Sequence, residues 1–136
     1  MSAWLEAHRS EYYDRLTAIT SEGDHAGWVR FFLRAVTAQA EEDTRRVREI
    51  LALYERTKDA VVEVTRSRYA VAATEALFGQ PIFSTPGFVA ESWIPPATAA
   101  RLLDRLEAAR ILRTVRRGRG RRPTVWAFPE LVEIVG

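Results

Sequence analysis

From His25 to Phe78 the chain contains no proline, and the only glycine in that run, Gly27, falls in its first turn. Proline and glycine are the residues that interrupt helices, so this stretch is built to be helical almost from end to end. Alternating steps of four and three from Val29 pass through Leu33, Val36, Ala40, Asp43, Val47, Ile50, Tyr54, Thr57, Val61 and Val64. All but Asp43 and Thr57 are apolar, aromatic or small. The spacing predicts one long helix with a continuous apolar seam. Upstream, Trp4, Leu5, His8, Tyr12, Leu16 and Ile19 recur at helical steps and predict a first helix ending near Thr20, ahead of Gly23. Asp24 stands where the long helix needs an N-cap. Trp28, Phe31 and Phe32 widen the apolar face near its start, which predicts that the first helix folds back on it as an antiparallel hairpin. An intermolecular coiled coil along the seam is the alternative and is compatible with the hairpin.

The second half changes character. Tyr69 to Phe78 is an alanine-rich helical run that opens a new module. After the breakers Gly79-Gln80-Pro81, residues Ser84 to Glu91 read as a short helix, with Thr85 as N-cap and Pro86 at its first position. Ser92 to Pro95 is a turn, and Pro96 to Ala108 is a further helix. Ala99, Leu102, Leu103 and Leu106 form its buried stripe, while Thr98, Arg101 and Arg105 lie together on the other side. Then the period shifts toward alternation. Ile111 to Val115 and Thr124 to Phe128 predict two short strands joined by the basic tip Arg116-Arg117-Gly118-Arg119-Gly120-Arg121-Arg122. Pro129 to Val135 predicts a last helical turn or two. Helix, short helix, turn, helix and β-hairpin is the order of a winged helix-turn-helix.

Charge singles out the same region. Net charge is only +2, but residues 97–128 hold nine arginines against Asp104 and Glu107. Nineteen of the twenty basic residues are arginine. GC-rich coding produces such a bias by itself, so the composition does not show phosphate binding; the placement argues for it. A recognition helix presents a few side chains to base edges, and a basic wing lies along phosphates or in a minor groove. The expected partner is therefore double-stranded DNA, with Thr98, Arg101 and Arg105 facing bases and Arg116, Arg117, Arg119, Arg121 and Arg122 facing phosphates. So few base-facing side chains imply modest specificity from one module, and a homodimer through the N-terminal helices is expected to supply more. A solvated loop, or a contact with an acidic protein, is the competing use of an arginine run.

Several function classes are excluded or left without support. There is no cysteine, hence no disulfide and no thiolate metal site. His8 and His25 have no metal-ligand spacing, so no metal or cofactor is expected. Glu41, Glu42 and Asp43 precede Arg45, Arg46 and Arg48 at ion-pair spacing rather than as an acid-base pair. No phosphate loop or nucleophile elbow occurs, and no catalytic residue is expected. Without a signal peptide or a long apolar run, the location expected by default is the cytoplasm.

The first half, with Trp4-Leu5-Glu6-Ala7-His8-Arg9-Ser10-Glu11-Tyr12-Tyr13-Asp14-Arg15-Leu16, then Gly23-Asp24, Trp28-Val29-Arg30-Phe31-Phe32-Leu33, Val36 and Gln39-Ala40, resembles the segment that follows the catalytic motif in the Fic (filamentation induced by cAMP) family. Those proteins transfer nucleotide monophosphate to hydroxyl side chains, and in many bacterial members this segment runs into a winged helix. The likeness covers residues 2 to about 55 well. The family's His-Pro-Phe and Gly-Asn-Gly-Arg signature is absent from this sequence, so no catalytic role carries over. What the resemblance implies is an accessory region: helices beside a catalytic core, then a winged helix that binds DNA or recruits a protein target. It also implies a chain that begins just past that core. The expected fold is thus mainly α, with a helical hairpin at 1–67 and a winged helix-turn-helix at 68–136.

Overall fold

A computed structural model describes all of residues 1–136. The elements run α1 (Ser2–Ala7), α2 (Arg9–Glu22), α3 (His25–Thr65), α4 (Ala70–Gly79), β1 (Ile82–Ser84), α5 (Thr85–Ser92), α6 (Pro96–Ala108), β2 (Arg113–Arg116), β3 (Val125–Ala127) and α7 (Pro129–Val135). They form two compact units, Met1–Val47 and Arg48–Gly136, and α3 contributes residues to both.

In the first unit α2 folds back on α3 through a tight turn at Gly23. Asp24 caps α3, its Oδ1 accepting from the Gly27 amide at 2.9 Å. Gly27 leaves room for this cap: a Cβ at this position would press on the Asp24 carboxylate, which would have to shift. Phe31, 2 % exposed, is the centre of the hairpin. The rings of Trp4, Tyr12 and Trp28 surround it at centroid distances of 5.3, 6.3 and 6.0 Å. Arg34 bridges to Glu11 at 2.5 Å, and that hydrogen bond, ahead of the nearby charges of Arg34 and Arg15, holds the Glu11 carboxyl below its ordinary pKa. The first helix is interrupted at His8, where the sequence periodicity runs straight on. His8 has φ −114 and ψ 29, its ring stacks on Trp4 at 3.9 Å, and its Nδ1 lies 2.8 Å from the Trp4 carbonyl oxygen. The side chain thus competes for the carbonyl that continues the helix.

The apolar seam read along α3 does not stay buried. Thr57 and Val61 are buried, and Ile50, Tyr54 and Val64 are partly covered. Val29, Leu33, Val36 and Val47 are exposed. The cause is a rotation of the packed face: α1 and α2 dock on Gly27, Phe31 and Ala35, two residues out of step with the seam.

The second unit is a winged helix-turn-helix. β3 is the central strand of a three-stranded antiparallel sheet in the order β1-β3-β2. Phe83 is opposite Trp126 on one side, and Thr114 is opposite Trp126 on the other, with an irregularity between Thr114 and Arg116. The sequence predicts only a two-stranded hairpin here; β1 is a third strand, three residues long. Phe83, Phe88, Ile94, Leu103, Leu106, Trp126 and Phe128 close one core with Leu77 from α4 and with Leu53 and Val61 from α3. For this reason the compact unit starts at Arg48. The division drawn at 67/68 instead marks the end of α3 and the Thr65–Tyr69 corner. Ser84, not Thr85, caps α5, its Oγ accepting from the Gly87 amide at 3.2 Å. Thr85 sits one position inside, where its Oγ1 accepts from Trp126 Nε1 at 3.0 Å and ties the helix start to the sheet.

Candidate nucleic-acid interface

Burial of Ala99, Leu102, Leu103 and Leu106 fixes how α6 is rotated. At about 100° per residue, the direction opposite that stripe carries Ala97, Ala100, Arg101, Asp104 and Ala108, all exposed. Arg101 stands near the middle of this outward face. Thr98 and Arg105 lie on one edge; Thr98 is half-buried and Arg105 is exposed. The Arg105 guanidinium is already engaged, donating from Nη1 to the Thr65 carbonyl at 3.1 Å. That carbonyl belongs to the last turn of α3, where carbonyls lack helical partners, so Arg105 has a structural duty that its position in the sequence does not reveal. Asp104 on the outward face is the residue the sequence reading passed over. A carboxylate there repels phosphates and accepts from the N4 amino group of cytosine. The spacing of Leu102, Leu103 and Leu106 contains the information needed to place it.

The opposite edge of α6 holds Glu107, which anchors the wing. Thr114 Oγ1 on β2 donates to Glu107 Oε1, and Arg117 approaches Oε2 at 3.4 Å. The Thr114 hydrogen bond first, and the Arg117 charge after it, hold the Glu107 carboxyl below its ordinary pKa. Arg117 therefore finds an acid ten residues upstream, although none lies within the tip. Arg116, Arg119, Arg121 and Arg122 are exposed and make no ion pair.

The tip is a folded hairpin. The Arg119 amide donates to the Arg122 carbonyl at 3.0 Å, and the Arg122 amide to the Arg119 carbonyl at 3.1 Å, closing a two-residue turn at Gly120-Arg121. Below it the Gly118 amide donates to Thr124 Oγ1 at 2.9 Å. A Cβ on Gly118 would meet both the Thr124 nitrogen and its Oγ1 at 2.9 Å, so glycine lets the two arms of the wing cross closely.

At the start of α6, Trp93 occupies the helix-turn-helix turn with φ 58 and is 89 % exposed. The turn around it is tied down. Its amide donates to the Val89 carbonyl at 3.0 Å, and the Ile94 amide to Ser92 Oγ at 3.3 Å. A left-handed backbone at a non-glycine residue costs about 1–2 kcal/mol, and this tryptophan recovers none of it by burial.

No group of three His, Cys, Asp or Glu side chains is placed to hold a metal ion. No helix is long and apolar enough to cross a membrane. No family model matches the chain. Among solved structures, one concerned with the mechanism by which 6-hydroxynicotinic acid regulates DNA binding of Bordetella bronchiseptica BpsR is similar over 65 % of this chain and 75 % of that one, with 20 % identity and a TM-score of 0.41.

Proposed function

We propose that the second unit binds duplex DNA in a regulatory role, with α6 toward the major groove and the wing on the phosphate backbone. The observation that carries this reading is the ordered wing. It holds Arg116, Arg119, Arg121 and Arg122 in solvent without acidic partners, on a hairpin anchored to the helix beside it. Within the same reading Arg101 is the principal base-facing side chain, Thr98 flanks it, and Arg105 contributes what its bond to Thr65 leaves free. Titrating labelled random-sequence duplex by fluorescence anisotropy at ~50 and ~200 mM salt tests it, with the log-log slope expected at about −0.9 per phosphate contacted. Absence of binding at the lower salt would remove DNA as the partner.

The first unit fits the accessory helices of a Fic-family protein, without catalytic activity of its own, since the residues that carry that resemblance build the α2–α3 hairpin around Phe31. The exposed α3 residues Val29, Phe32, Leu33 and Val36 support self-association through the N-terminal helices, in a cytoplasmic bacterial protein. Leu33→Asp is expected to shift sedimentation equilibrium toward monomer over ~10–200 μM, the range in which the parent chain should show mass-action association. A parent chain that is monomeric throughout would refute the dimer.

A second reading is favoured by Trp93. A tryptophan 89 % exposed on a hydrogen-bonded turn is the kind of side chain that dominates protein interfaces. The winged unit would then recruit a protein partner or substrate to a Fic catalytic core, with the arginines meeting an acidic surface.

A further inference from the structure

The wing lies against one edge of α6, through Glu107. On the other edge Thr98 and Arg105 border a concavity of about 260 Å³, to which the corner after α3 contributes Thr65 and Arg66 and the helix contributes Arg101. No carboxylate lines it. Arg66 is the residue that ends α3. Its amide donates to the Val62 carbonyl at 2.8 Å, closing the last turn. Its φ is 47, the left-handed conformation that glycine occupies at most such helix ends. The Arg66 side chain is exposed and makes no hydrogen bond or ion pair within the protein. The corner itself is firm, since Thr65 Oγ1 donates to the Val61 carbonyl at 2.7 Å and Ser67 Oγ accepts from the Tyr69 amide at 3.1 Å.

An arginine at a position where glycine is easier, whose side chain adds nothing to the fold, points to a ligand outside it. We propose that this concavity receives a phosphate of the DNA backbone. Arg66 supplies the guanidinium donors and Arg105 adds positive charge from its place on the Thr65 carbonyl, while Arg101 and Thr98 border the concavity and remain directed to the bases. The inference rests on the DNA-binding reading and deepens it. The recognition helix is flanked by basic groups on both edges, the wing on one and the α3–α4 corner on the other. A helix lying in a major groove has a phosphate strand along each of its sides, and the two basic sites match the two strands.

The test is Arg66→Gly in the full chain, read by anisotropy on random duplex and by thermal unfolding. Glycine accepts the backbone conformation, so the midpoint of unfolding is expected to stay or to rise by up to ~5 °C. Affinity is expected to fall roughly five- to tenfold at ~0.1 M salt, and the salt slope to shrink by about 0.9. Arg66→Lys, which keeps the charge, should keep the slope. An unchanged slope in the glycine variant would overturn the proposal, whether or not affinity fell, because the lost contact would not be a phosphate. A lowered melting midpoint with unchanged binding would make Arg66 a structural residue and overturn it equally. If the parent chain itself fails to bind at low salt, the DNA-binding reading fails, and that result is distinct from both.

Discussion

Replacing Arg116, Arg117, Arg119, Arg121 and Arg122 together with alanine is expected to weaken duplex binding by about two to three orders of magnitude at ~0.1 M salt and to flatten the salt slope by roughly four. The loss should be nearly the same on every sequence, because phosphate contacts position a protein without reading bases. Arg117 is expected to contribute least, since Glu107 already holds it at 3.4 Å. The melting midpoint should hardly move, as the other four side chains make no ion pair within the protein and exposed pairs add little. Arg101→Ala is the informative comparison: a loss concentrated on particular sequences would identify it as a base contact. Binding that survives the fivefold replacement would leave the wing without a nucleic-acid role, and attention would pass to Trp93 and a protein partner.

Phe31→Ala is expected to cost the first unit about 3–5 kcal/mol. A unit spanning Met1–Val47 has a total of about 2–7 kcal/mol, at roughly 0.05–0.15 kcal/mol per residue. The expected outcome is therefore release of α1 and α2 rather than a dented core. Trp4 and Trp28 pack near Phe31 and should become solvated, shifting their fluorescence to the red. Trp126, 4 % exposed in the second unit, and Trp93, already in solvent, should not change. DNA binding by the second unit should persist. An unshifted emission spectrum would mean that Phe31 does not organise the hairpin.

Much of this architecture is legible in the sequence because its signals are redundant. The long helix is announced by the absence of breakers, and α6 by Pro96 at its start and a four-residue buried stripe. The wing is announced by glycine between β-forming segments. What escapes has a physical cause in each instance. β1 spans three residues between Pro81 and α5, too short for alternation to show, and it becomes a strand only because β3 offers it a partner. Ser84 and Thr85 are both good caps, and the choice falls to Ser84 because Trp126 claims the threonine hydroxyl. Burial along α3 cannot be read from its own seam, because α2 docks around Phe31 on a neighbouring face and leaves Val29 and Leu33 outside. Of the candidate site, the wing is legible; the bond from Arg105 to Thr65 joins positions forty residues apart, and nothing local to either predicts it.

The two-residue turn at the wing tip sets Arg119 directly opposite Arg122. Side chains paired this way project to the same side of a ribbon, with Cβ atoms about 5 Å apart, and like charges there push the strands apart. In the unliganded protein the two charges at the hairpin tip thus repel each other, a repulsion that salt screens and that an anion between the two guanidinium groups would offset. A polyanion would tighten the turn as it binds, and dilute salt would loosen it. The same pair can offer one phosphate guanidinium donors from both arms of the turn at once.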